Sequence, residues 1–73
     1  MSMSTRGSQY IEQFVENAID DIDRGFMDDV ISELNKMTPQ KAMTCSVGIV
    51  LYMGRRDMPQ YHAFLRKLER QVH

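Results

Sequence analysis

The side chains that could do chemistry in this 73-residue sequence are few and stand apart. The single thiol, Cys45, could act as a nucleophile only with a base beside it, and His62 and His73 are the two candidates. A cysteine within an apolar helix is more often a small buried hydrophobic residue. One thiol and two imidazoles also fall short of the four ligands of a structural zinc site. We therefore expect no enzymatic activity, no metal and no cofactor.

An acidic run that ends at Gly25 is the nearest approach to a metal-binding loop. An EF-hand loop places acids at its first, third and fifth positions, a glycine at the sixth and a glutamate at the twelfth. A loop that starts at Asp21 puts Gly25 at the fifth position, and one that starts at Asp20 puts Ile22 at the third. Neither register fits, so the run is predicted to be a solvated helix face closed by a glycine.

Bases near the C-terminal end are the strongest candidates for a binding surface. Two of them fall in a predicted turn and three on the helix that follows, and we expect them to form one positive patch beside two apolar anchors. The predicted partner-binding residues are Arg55, Arg56, Met58, Tyr61, Arg66, Lys67 and Arg70, and the five bases among them are called the basic set.

The basic set has three interpretations. The bases can be solvated or pair with acids of the same chain, or they can contact an acidic or amphipathic protein partner. Nucleic acid is the least favoured target, because a chain with a net charge of -1 repels phosphate. The seven methionines leave one more alternative, an assembly or antitoxin-like protein that buries some of them in a homodimer.

Amphipathic segments predict an all-α fold, a small single-domain bundle of about four short helices that positions these residues. The first helix is expected to start at an N-cap, Ser8, and to end at Gly25, with apolar residues at three- and four-residue spacings between them. The second covers residues 26–37. Thr38-Pro39 is a cap followed by a first-turn proline, which marks the start of the third helix.

The third helix is the least regular segment, because residues 47–52 are rich in β-forming types that also suit a buried strand. Helix is favoured by the cap, by the lack of a second strand to pair with, and by the apolar residues Met43, Val47, Val50 and Leu51. Gly54 is predicted to end this helix. Asp57 is predicted to cap a fourth helix whose basic row contains His62, Arg66, Arg70 and His73.

Charge is divided unevenly along the chain. Eight acids and two bases give residues 1–33 a net charge of -6, while two acids and seven bases give residues 34–73 a net charge of +5. Residues 1–7 are predicted to be a disordered lead-in, and residues 8–73 the helical domain. There is no basic-then-apolar leader and no apolar stretch near the ~20 residues of a spanning helix, so we expect a cytoplasmic protein without a membrane partner.

The segments YIEQF (residues 10–14) and MGRRD (residues 53–57) carry a resemblance to a known group. In these segments, and in length and general run from Met1 to His73, the chain resembles the small RNA-polymerase-binding inhibitor proteins of lytic Xanthomonas phages. The resemblance implies a host-takeover protein that binds the bacterial polymerase, blocks initiation by the host enzyme and assists transcription through terminators. It carries no motif for individual contacts, so the predicted site residues are those derived above.

Overall fold

The computed structural model describes the backbone of residues 4–71 and the side chains of residues 9–70. Its helices are α1 (Ser4–Asp23), α2 (Met27–Asn35), α3 (Pro39–Arg55) and α4 (Tyr61–Gln71). No strand occurs in this part of the chain, and residues 47–53 are helical. The predicted all-α bundle of four short helices is confirmed.

Helix α1 begins at Ser4, four residues before the predicted N-cap at Ser8. Once its packed part has formed, each further residue adds one backbone hydrogen bond, so the helix extends through Gly7 despite the weak propensity of glycine. The rest of the predicted lead-in, residues 1–3, lies outside the described residues. Downstream, α1 presents an apolar face of buried residues to the bundle: Val15, Ala18, Ile19 and Ile22.

The turn between α1 and α2 is a Schellman motif built on Gly25. Its φ is 96°, a left-handed conformation that glycine adopts without a side-chain clash. The N–H of Phe26 donates to the carbonyl of Asp21 at 2.8 Å, and the N–H of Gly25 donates to Ile22 at 3.1 Å. The predicted end at Gly25 is confirmed, but Phe26 is the half-exposed N-cap of α2 instead of its first residue.

The boundary between α2 and α3 follows the sequence signal. Thr38 is extended, and its Oγ1 accepts a hydrogen bond from the N–H of Lys41 at 3.4 Å. Pro39 occupies the first turn of α3, where a missing N–H has no consequence for the helical hydrogen bonds. The predicted cap and start of the third helix are confirmed.

The end of α3 differs from the prediction. The helix continues through Gly54 to Arg55, and Asp57 takes the left-handed position with φ 54°. The N–H of Met58 donates to Met53 at 3.1 Å and that of Asp57 to Gly54 at 3.2 Å, which is again a Schellman motif. Asp57 therefore closes α3, and its predicted role as N-cap of α4 is wrong, because the cap of a helix that begins at Tyr61 lies further along.

The core lies between α1 and α3 and is completed by α2 and α4. Lys41 sits over the ring of Tyr10, and Gly48 lies against Val15, so α1 and α3 run in the same direction. Among the described residues no polar or charged side chain is buried. The buried core consists of Val15, Ala18, Ile19, Ile22, Val30, Ile31, Leu34, Cys45, Ile49, Met53 and Phe64.

Candidate protein-interaction site

The outward side of α4 carries a row of bases at four-residue steps. His62, Arg66 and Arg70 are all exposed, while Phe64, two residues from His62 and Arg66, is fully buried on the opposite side. At 1.5 Å per residue the row spans about 12 Å. We call these three residues the basic face of α4. His73, predicted to extend this row, lies outside the described residues.

Three arginines of the basic set have no acidic partner within the described part of the chain. Arg55, Arg66 and Arg70 are exposed, and no carboxylate of residues 9–70 lies within 4 Å of their guanidinium groups. Long cationic side chains that no internal acid holds are free to meet the charge of another molecule.

The other two bases of the set are held inside the molecule. Lys67 Nζ lies 2.7 Å from Asp28 Oδ1, an ion pair that joins α4 to α2. Arg56 Nη1 donates to the hydroxyl of Tyr52 at 3.1 Å, and its guanidinium carbon is 5.2 Å from the centre of that ring. The basic set is thus divided: two members brace the bundle, and three face outward.

The two predicted apolar anchors belong partly to the bundle itself. Met58 and Tyr61 are half-buried and pack against the core. The Tyr61 ring meets His62 edge-on, with centroids 5.3 Å apart and planes at 73°, and lies beside Gly54. Only part of each side chain is therefore available to a partner.

Helix α3 exposes an apolar stripe that was not predicted from the sequence to lie on the surface. Met43 is 69% exposed, Val47 50% and Leu51 57%. These residues stand at four-residue steps, so they line one side of the helix. We call them the outer stripe of α3. Their spacing helped to predict the helix, but in the structure they do not face the core.

The opposite side of α3 is apolar as well. Cys45, Ile49 and Met53 are fully buried, and they are offset from the outer stripe by two residues, which is about 200° around the helix. A helix that is apolar all round is normally buried all round. The sequence signal for this second face was the uncharged run of residues 42–54, which lacks the charged side of an ordinary surface helix.

An apolar groove of about 350 Å³ lies beside the outer stripe, between α2, α3 and α4. Its walls include Ile31 and Leu34 of α2, Ala42 and Met43 of α3, and Leu68 of α4. Met43 belongs to both features, so the groove and the outer stripe form one continuous apolar surface.

Cys45 is placed as a core residue. It is fully buried, and burial raises the pKa of its thiol, while the positive charge of Lys41 acts in the opposite direction. A buried thiol with a raised pKa is a poor nucleophile at neutral pH. This geometry favours the packing interpretation over a catalytic one.

Comparisons with protein families, with curated proteins and with solved structures find no match to this chain. Within residues 4–71, no helix has the length and apolar character needed to cross a membrane. The same described part contains no group of three or more His, Cys, Asp or Glu side chains that could hold a metal ion. The candidate interaction surfaces of this molecule are therefore the basic face of α4 and the outer stripe of α3.

Proposed function

We propose that this chain is a non-enzymatic protein of the host cytoplasm that binds a bacterial RNA polymerase, blocks transcription initiation and promotes antitermination. The basic face of α4, with Arg55, is the proposed contact surface for an acidic part of the polymerase. The sequence resemblance to polymerase-binding phage proteins supports the choice of partner. The observation that carries the surface is the exposure of Arg66 and Arg70 without an acidic partner among the described residues.

Charge on this face would act mainly on the rate and orientation of docking. Rim charges steer an encounter and fix its register, whereas affinity depends more on desolvated apolar contacts. The half-buried Met58 and Tyr61 supply limited apolar area near Arg55 and Arg56. The internal ion pair of Lys67 favours a supporting role for that residue, so we expect it to contribute less than Arg66 or Arg70.

Capture of purified RNA polymerase from a Xanthomonas host by the immobilised chain tests the proposal. The informative variant is R66E/R70E, which reverses two exposed charges on α4. A matched control is R24E/K36E, which changes the net charge by the same amount at exposed positions in the turns that follow α1 and α2. It also removes the exposed ion pair between Arg24 and Asp20, at 3.4 Å, which contributes little to stability. Circular dichroism of both variants should show unchanged helix content.

We expect R66E/R70E to weaken polymerase binding about tenfold or more, which corresponds to about 1.4 kcal/mol. The control should bind within about twofold of the parent chain, because its charges lie off the proposed surface. If both variants lost polymerase binding equally, the loss would be explained by the change in net charge and not by the basic face of α4. No capture by the parent chain would refute the choice of partner.

Transcription on a purified template separates polymerase binding from binding to DNA. The proposed protein should suppress initiation from a host promoter when added before promoter engagement, and should increase read-through at a terminator. In a binding assay with bare DNA duplex, we do not expect the tight, strongly salt-dependent binding that phosphate contacts would produce. Tight, strongly salt-dependent duplex binding would favour a DNA-binding regulator instead.

A further inference from the structure

One member of the basic face of α4 is a histidine, and the other two are arginines. His62, Arg66 and Arg70 are exposed and follow one another at steps of about 6 Å along the helix. Arginine stays charged under all ordinary conditions. Histidine is the side-chain type that changes charge between about pH 5 and about pH 8. The positive charge of this face therefore depends on pH through His62.

We propose that His62 makes partner binding through the basic face of α4 dependent on pH, with tighter binding when the imidazole is protonated. The inference rests on the proposed function, because it needs an acidic partner at this face. A protonated imidazole adds a third positive charge to the row. By linkage, a partner that binds the charged form better also draws a proton onto His62. Binding should therefore weaken as the pH rises from about 6 to about 8.

The contacts of His62 position its ring beside the bundle. The ring of Tyr61 meets the imidazole edge-on, with centroids 5.3 Å apart and planes at 73°. Both residues also line a cleft of about 430 Å³ that includes Met53 and Gly54 at the end of α3. A side chain that is already restricted loses less freedom when a partner binds. His62 can therefore meet a partner at a lower entropic cost than a fully mobile base.

The charges around His62 leave room for an acid from a partner. Arg66, one turn further along α4, repels a positive charge on the imidazole. Asp57 lines the same cleft, and Glu69 lies within about 20° of His62 around the axis of α4, so both attract it. No carboxylate of residues 9–70 lies within 4 Å of the imidazole nitrogens. An acid of the partner would be the first to contact them.

The size of the effect follows from the exposure of the site. Ion pairs at exposed positions contribute at most about fivefold to a binding constant. The buried thiol of Cys45 does not compete as a source of this dependence, because burial raises its pKa above the ordinary value for cysteine. His73 is the other histidine of the chain and serves as the comparison.

Binding of purified polymerase from a Xanthomonas host, measured at constant ionic strength, tests the inference. We expect the parent chain to bind about threefold to fivefold more tightly at about pH 6 than at about pH 8. H62Q should retain only the dependence that the polymerase itself contributes. H62R should exceed H62Q by the same factor at every pH. H73Q keeps His62 and should retain the larger part of the dependence.

Calorimetry in buffers of different ionisation enthalpy measures the proton directly. Near neutral pH, the parent chain should take up more protons on binding than H62Q does. An equal response to pH in the parent chain and H62Q would overturn the role of His62 and leave the proposed function intact. So would a dependence that is lost in H73Q alone. Failure of the parent chain to bind the polymerase at any pH would refute the proposed function itself, and this inference with it.

Discussion

Gly48 is the point of closest approach between α1 and α3, and replacing it with alanine measures how tightly the core is packed. A Cβ at this position would lie 2.9 Å from Cγ2 of Val15. Carbon atoms in favourable contact are about 3.5–4.0 Å apart. Valine in a helix has one strongly preferred rotamer, so its methyl group cannot turn aside. The two helices must separate instead.

Two opposing effects set the magnitude for Gly48→Ala. Overpacking a well-filled core reduces stability by about 1–3 kcal/mol. Replacing a glycine in the interior of a helix with alanine raises the free energy of unfolding by about 0.5–1 kcal/mol. The packing effect is the larger of the two, so we expect a net loss of about 1 kcal/mol. For a domain of this size, that lowers the thermal midpoint by about 4–8 °C.

Gly54→Ala is the matched control in the same helix. A Cβ there would meet Cε1 of Tyr61 at 3.6 Å, an ordinary contact, so only the gain in helix propensity remains. We expect Gly54→Ala to raise the free energy of unfolding by about 0.5 kcal/mol. Chemical denaturation followed by circular dichroism measures both variants under the same conditions.

A double-mutant cycle with Val15→Ala decides whether the clash is the cause. That substitution removes the obstructing methyl group and by itself lowers stability by about 2 kcal/mol. In its presence Gly48→Ala should become stabilising by about 0.5 kcal/mol or more, which reverses the sign of its effect. If Gly48→Ala lowers stability equally in both backgrounds, the reasoning from the Val15 contact is refuted.

Further predictions concern the helix ends and the buried thiol. Asp57→Gly should stabilise the fold by about 0.5–1 kcal/mol in urea denaturation, because glycine adopts the left-handed conformation without strain. Thr38→Ala should destabilise it by about 0.5–1 kcal/mol in the same assay, since the cap of α3 is lost. Burial raises the pKa of Cys45 in the folded state, so the unfolded chain loses its thiol proton first as pH rises. The thermal midpoint should therefore fall between about pH 8 and about pH 10, and by less in Cys45→Ala.

The helices could be predicted because their signals are local. In α1 the apolar residues repeat at one helical period, and Gly25 and Thr38-Pro39 mark boundaries through backbone chemistry that needs no tertiary information. These features specified the number of helices and the first two connections. The start of α1 was missed because a cap residue such as Ser8 is favourable but not obligatory once the helix is held by packing.

The end of α3 could not be read from residue types alone. Aspartate suits both an N-cap and a left-handed C-terminal position, and glycine suits both a helix end and a tight contact. In the structure Asp57 takes the left-handed position, and Gly54 stays helical beside the ring of Tyr61. The choice depends on how α4 folds back over α3, which is tertiary information.

The sequence also could not show which bases of the basic set have partners within the bundle and which face outward. The pairing of Lys67 with Asp28 joins residues far apart in the chain, and periodicity gives no measure of that distance. The outer stripe of α3 shows the converse problem. With apolar rows on both sides of the helix, spacing predicts the helix but cannot say which row faces the core. Gly48 was a usable hint, because a small residue is expected where another helix comes close.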